Sequence, residues 1–187
     1  VLARIERAAC RFWGSLTFGA HATGFVADAQ GRPTHLWIAQ RSPHKATDPG
    51  LFDNLVGGGV ADGQSPFDAL VREAFEEAGL PAAQAQQAKA AGVLRLHRDI
   101  PEGLQHEWLH SFDLALPAGW QPQNQDGEVA GFTLIAMNLR HVLYGPALMR
   151  EAMDHAQRVA PQRTAAGVRK ITAHHQHHAG EQCPAGA

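Results

Sequence analysis

Residues 21–28 set Phe25 and Val26 among small residues, and residues 34–41 carry the apolar run Leu36, Trp37, Ile38 and Ala39. Both patterns predict strands. Between them, Ala29-Gln30-Gly31-Arg32-Pro33 is turn chemistry, so a hairpin is expected. Residues 42–53 mix prolines and a glycine with polar side chains and read as a loop, and residues 54–60 contain the consecutive glycines Gly57, Gly58 and Gly59. The period then changes. Phe67, Leu70, Val71, Ala74 and Ala78 recur at helical spacing, which predicts an amphipathic helix over 66–78. Ser65 can cap it, Pro66 suits its first position, Asp68 completes a capping-box variant and Gly79 closes it. Residues 92–98, 108–116 and 131–138 read as strands, and 117–128 as a loop long enough to suggest a functional role. Leu148, Met149, Ala152, Met153 and Ala156 place a last helix over 146–159. Strands, helix, strands, helix is the order of a mixed α/β sandwich.

Composition narrows what such a sandwich does. The 187 residues suit one domain with a core of its own. A formal net charge of -2 provides no basic field for nucleic acid or an anionic membrane, although the 12 histidines can turn the balance positive near pH ~6. No uncharged apolar run reaches the roughly 18–20 residues that cross a bilayer, and residues 1–11 lack a signal peptide's apolar stretch. Cys10 and Cys183 lie at opposite ends, outside any metal-ligand spacing, so a reducing cytoplasm is the expected location. Neither nucleic acid nor a membrane is an expected partner; monomer and homodimer both stay open. The chain opens on Val1 rather than Met, and residues 1–18 are expected to be the remnant of a longer upstream region. Residues 161–187, small, polar and ending near His174-His175-Gln176-His177-His178, are expected to be a disordered tail.

On the 66–78 helix, Glu73, Glu76 and Glu77 share one stripe because they are spaced i,i+3 and i,i+4. Like charges so placed repel, and a cation reverses that cost. Clustered hard oxygens suit Mg2+ or Mn2+. An isolated E-x-x-E-E is more often a solvated acidic face, so the surrounding residues decide. Gly58 is followed after five residues by Gln64, and after seven more by Arg72-Glu73-Ala74-Phe75-Glu76-Glu77-Ala78-Gly79-Leu80.

This run resembles the Nudix box, G-x5-E-x7-R-E-U-x-E-E-x-G-U with U apolar, and matches every fixed position except the first glutamate, which is Gln64. The resemblance implies the Nudix fold, a mixed β-sheet sandwiched between α-helices (α/β/α), over about residues 19–160. It implies hydrolysis of a diphosphate linkage by an activated water. It also implies that Glu73, Glu76 and Glu77 bind Mg2+ or Mn2+, that Arg72 pairs with and positions the carboxylates, and that a backbone carbonyl of Gly57 or Gly58 is a further ligand. Glycine there is expected to allow close approach and unusual dihedrals. Gln64 removes one negative charge, which predicts weaker metal affinity. For the base, the box leaves a helix glutamate or a loop acid open; the loop candidate is Glu128, in Asp126-Gly127-Glu128-Val129, with Glu107 a weaker one.

A narrower likeness runs from about residue 19 to 135. Gly19-Ala20-His21-Ala22-Thr23-Gly24-Phe25-Val26, Leu36-Trp37-Ile38-Ala39-Gln40-Arg41-Ser42, Lys45 and Pro49-Gly50-Leu51-Phe52-Asp53-Asn54 are similar to the Nudix domain of fungal thiamine pyrophosphokinase fusions and its bacterial and plant relatives. That subgroup implies thiamine diphosphate or its oxidised forms as substrate. It usually has Asn where this chain has Thr23, and it carries a longer upstream region. Arg41, His44 and Lys45, with Asn54, are candidates to meet a diphosphate. Trp120 is the candidate for stacking on a flat heterocycle, whereas Trp37 reads as core. Three alternatives stand beside this reading. A nucleoside diphosphate linked to a sugar or second nucleotide is one. An isopentenyl-diphosphate isomerase-like enzyme is another, but its cysteine position is Gly57 here. A non-catalytic Nudix-fold binding module is the third, and it has no need of clustered, repelling acids.

Overall fold

The computed structural model describes residues 5–137. A short 3-10 turn (Arg7–Ala9) and helix α1 (Cys10–Trp13) lead into strands β1 (Thr17–Ala27), β2 (Pro33–Arg41), β3 (Phe52–Asp53) and β4 (Val56–Gly59). Helices α2 (Pro66–Ala78) and α3 (Ala82–Ala85) follow, then strands β5 (Lys89–Ile100), β6 (Gly103–Ala115) and β7 (Val129–Ala136). The last helix expected over 146–159 and the tail over 161–187 lie outside the described residues.

The sheet runs β3-β2-β1-β6-β5, with β4 added to β1 and β7 to β2. Only the β1–β6 pairing is parallel among those described, so the sheet is mixed. β1 uses one edge twice: its Gly19–Ala22 half pairs with β4 and its Phe25–Ala27 end with β2. The edge changes partner around Gly24, and the fully buried Leu55 fills the space there. A Cβ on Gly24 would come within 2.3 Å of the Leu55 side chain, so only glycine fits at this crossing. The split lets the chain from β3 to β4 cross between the two halves, carrying Asp53 and Asn54 with it.

Helix α2 keeps the bounds its pattern sets. The Ser65 hydroxyl accepts from the Asp68 N–H, Pro66 occupies the first turn, and Gly79 ends it in a left-handed conformation at φ 64°. Its buried Ala69, Leu70, Ala74 and Ala78 lie in one core with Ala20 and Ala22 of β1, Trp37, Phe112 and Leu114. Alanine on both surfaces lets helix and sheet approach closely. On the other sheet face, Leu36 and Ile38 pack with Phe25, Phe52, Ile135 and Met137.

Several elements are longer than hydrophobicity alone suggests. β5 and β6 form a long antiparallel ladder from Lys89–Asp113 to Ile100–Gly103, with a register shift between Ala90 and Gly92, although much of its outer half is polar. Cross-strand pairs hold that half: Arg95 lies 4.6 Å over the Trp108 ring, His97 meets His106 edge-on, and the Arg98 Nε donates to Gln105. The two-residue β3 and the four-residue helices α1 and α3 are too short for a periodic signal.

Candidate active site

The acidic face of α2 divides by partner. Arg72 donates 2.7 Å hydrogen bonds to both Glu73 and Glu76, clamping two like-charged carboxylates with one guanidinium. Glu77 turns inward and is 5% exposed. Its Oε2 accepts from the Gly57 N–H at 2.8 Å and its Oε1 lies 3.1 Å from Lys45 Nζ. Burial raises the Glu77 pKa to about 7, against the Gly57 hydrogen bond and the Lys45 charge, which favour the ionised form. Burial also raises Glu73; Arg72 opposes this, and Glu76 and Glu128 add repulsion. Such perturbation is common where carboxylates do chemistry.

The glycines serve this face by being small. A Cβ on Gly58 would sit 2.0 Å from the Glu73 carboxyl carbon, and one on Gly57 2.9 Å from the His21 ring. None of Gly57, Gly58 and Gly59 has positive φ, which corrects the expectation of unusual dihedrals: they form ordinary strand β4, paired with β1. Close approach alone requires glycine here.

The long 117–128 loop is stitched to the helix it faces. Gln123 and Gln125 donate backbone N–H groups to the carbonyls of Ala78 and Glu76, satisfying acceptors that the helix end leaves open. An Asp126-centred turn, with the Glu128 N–H on the Asp126 side chain at 2.8 Å, then delivers Glu128. Its carbonyl accepts from the Ser42 N–H and its Oε2 lies 2.5 Å from Lys45 Nζ. Lys45 therefore bridges Glu77 and Glu128. Burial works against its ammonium, but Glu128 and Glu77 outweigh this and raise its pKa.

A cleft lined by Arg41, Lys45, Asp53, Asn54, Glu77 and Glu128, with Ala39 and Val129, brings together five of the expected residues from four separate segments, while Arg72, Glu73 and Glu76 do not line it. Within it Arg41 is a brace: its guanidinium bonds Asp53 at 2.8 Å and the Thr47 carbonyl at 2.8 and 3.1 Å, fixing the loop that presents Lys45. Asn54 is buried in the same wall. His44 is exposed on that loop and does not line the cleft. Trp120 packs edge-on against Trp37 with ring centroids 6.2 Å apart, half-buried at the margin of the core. Glu107 lies on β6 and accepts from Gln105, while Gln64 accepts from the Ala61 N–H at 3.3 Å and closes the turn ahead of α2. Two residues not singled out before, His21 and Asp53, stand behind the glycines, the His21 Nδ1 lying 3.7 Å from Asp53.

The donor set is all hard oxygen: Glu73, Glu76, Glu77 and Glu128 around a strand whose Gly58 leaves room that a Cβ would fill. That chemistry fits Mg2+ or Mn2+. Among the described residues no three His, Cys, Asp or Glu side chains are grouped closely enough to hold an ion; arginine and lysine hold these acids in pairs.

An acidic helix capped into a glycine strand, on a mixed sheet, defines a Nudix-type α/β/α enzyme fold. The NUDIX domain profile matches residues 17–156, and the chain belongs to that family. "Nudix hydrolase 20, chloroplastic" of Arabidopsis thaliana is 42% identical over 132 residues, covering 70% of this chain and 34% of that protein. The chain thus spans about a third of that relative's length. The isopentenyl-diphosphate Delta-isomerase of Streptomyces coelicolor is 34% identical over 113 residues, 60% of this chain and 54% of that enzyme. A MutT/nudix family protein from Enterococcus faecalis shares the fold with a TM-score of 0.55 at 15% identity, over 75% of this chain and 48% of that one. Nudix hydrolases generally use divalent metal ions. No helix among the described residues is long and apolar enough to cross a membrane.

Proposed function

We propose that this chain is a Nudix hydrolase that cleaves the diphosphate linkage of a small molecule with Mg2+ or Mn2+ and an activated water. The observation that carries this reading is the meeting of Glu77 and Glu128, from a helix and a distant loop, at the Lys45 ammonium, with Glu77 also held by the Gly57 N–H. When bound, the cation supplies Lewis-acid neutralisation of the diphosphate oxygens. Glu73, Glu76 and Glu77 would hold it, with a carbonyl of Gly57 or Gly58 as a further ligand, and Arg72 keeps the first two carboxylates in place. Lys45 faces the cleft where phosphate oxygens enter, on the loop that Arg41 braces. Glu128, half exposed beside the buried Glu77, has access to solvent and takes the proton of the water that attacks phosphorus, while the bridging P–O bond breaks.

Thiamine diphosphate or its oxidised forms are the proposed substrates, on the similarity of residues 19–135 to that subgroup; nucleoside diphosphates linked to a sugar or a second nucleotide are the alternative. An isomerase reading is disfavoured because Gly57 offers no thiol, and Cys10 is buried in α1 with its thiol on the Glu6 carbonyl. The paired acids and their arginine support an enzyme over a binding module. The test is product analysis with Mg2+ against thiamine diphosphate, its oxidised forms, nucleoside diphosphate sugars, dinucleotides and isopentenyl diphosphate. Metal-dependent release of a monophosphate is expected; binding without turnover, or isomerisation with the diphosphate intact, would overturn the proposal.

A further inference from the structure

Lys45 is the cation in contact with the acids on both sides of the cleft. Its ammonium lies 3.1 Å from Glu77 Oε1 and 2.5 Å from Glu128 Oε2, with the side chain 14% exposed. Arg72 differs: it sits on α2 beside Glu73 and Glu76, is 42% exposed, and ties them from the outside. Lys45 reaches in from the loop between β2 and β3, whose backbone is fixed independently of its side chain. The Lys45 N–H bonds the Ser42 carbonyl, the Ser42 N–H bonds Glu128, and Arg41 holds Thr47. A flexible four-carbon stem lets the ammonium withdraw while that backbone stays put.

We propose that the Lys45 ammonium is a displaceable counter-ion, holding Glu77 and Glu128 together in the metal-free enzyme and competing with the divalent cation for the Glu77 carboxylate. The inference rests on the metal site described above and deepens it. One ammonium between two carboxylates leaves a residual negative charge, which a doubly charged ion neutralises more fully. A divalent cation held by the Glu77 carboxylate would share it with the ammonium that lies 3.1 Å from Oε1, and the two positive charges would repel in a poorly solvated cleft. Cation entry therefore includes the work of breaking the Lys45 contacts. The resident charge also keeps the two carboxylates from repelling one another and opening the loop before metal arrives.

Titration calorimetry with Mn2+ alone, on chelator-stripped wild type, Lys45→Met and Lys45→Arg, tests this. Lys45→Met keeps the stem and removes the competitor, and it is expected to bind Mn2+ about tenfold more tightly. Lys45→Arg keeps the charge and is expected to stay within about threefold of wild type. Unchanged or weaker binding by Lys45→Met overturns the competition while leaving the metal site standing. Absence of Mn2+ binding to wild type overturns both. A measurement on wild type alone guards against a variant that fails to fold: the Lys45 ammonium should give a protected 15N–1H signal in EDTA that is lost on adding Mg2+. A signal that persists unchanged in saturating Mg2+ contradicts displacement.

Discussion

At the scale of single residues, the site depends on what lies next to each carboxylate. Glu77 is the sharpest case, because burial raises its pKa to about 7 from an ordinary carboxylate value. A raised acid pKa means the folded, metal-free protein binds a proton that the unfolded chain has released. Its stability contribution is therefore full below pH ~4.5 and is lost as pH rises to about 7, at a slope of up to ~1.4 kcal/mol per pH unit. Chemical denaturation of stripped protein at several pH values should show that decline, and Glu77→Gln should flatten it. A decline of equal slope in the variant would assign it to another group. Glu76→Gln and Glu77→Gln should each lower kcat by about a hundredfold or more while melting near wild type. Gly58→Ala must push the Glu73 carboxylate aside, since its Cβ would fall 2.0 Å away; a loss of similar size is expected, and near-normal turnover would contradict the packing. Gln64→Glu can still accept from Ala61 and adds one negative charge ahead of the helix. Magnesium affinity should rise a few-fold, and calorimetry showing no change would refute that.

At the scale of elements, α2 sets the geometry and its ends hold it. Ser65→Ala removes the acceptor for Asp68 N–H and should cost about 1 kcal/mol, read as a lower melting temperature with the acidic face intact. The helix was fully legible in the chain because cap, first-turn proline, apolar stripe and closing glycine all agree. The partner across the cleft was only half legible. Glu128 could be chosen as an acid before a strand, but its approach depends on Gln123 and Gln125 bonding the end of α2, which leaves no mark in periodicity. The Lys45 bridge depends in turn on Arg41 bracing a loop through Thr47 and Asp53. Trp120 marks a further limit of the sequence. A tryptophan in a long loop invites a ligand-stacking role, yet that loop returns against the core and seats it on Trp37. The polar outer half of β5–β6 was missed for a related reason: pairs such as Arg95 with Trp108 stabilise a strand that no apolar alternation announces.

At the scale of the whole molecule, the divided edge of β1 is what makes a site possible. With β4 on one half and β2 on the other, the chain from Asp53 to Gly58 crosses the sheet under α2, while β7 on β2 starts directly after Glu128. Four segments distant in sequence thereby meet: the Lys45 loop, the glycine strand, the acidic helix and the 117–128 loop. Their negative charge accumulates at one place in a molecule whose formal net charge is only -2. Arg72 and Lys45 offset that crowding, and the proposed divalent cation would take over part of their role. Crystals soaked with Mn2+ and inorganic pyrophosphate test this most directly. An anomalous-scattering peak bonded to carboxylate oxygens of Glu73, Glu76 or Glu77 is the expected result; a map with no manganese at this helix face, with the protein otherwise ordered, would contradict the account.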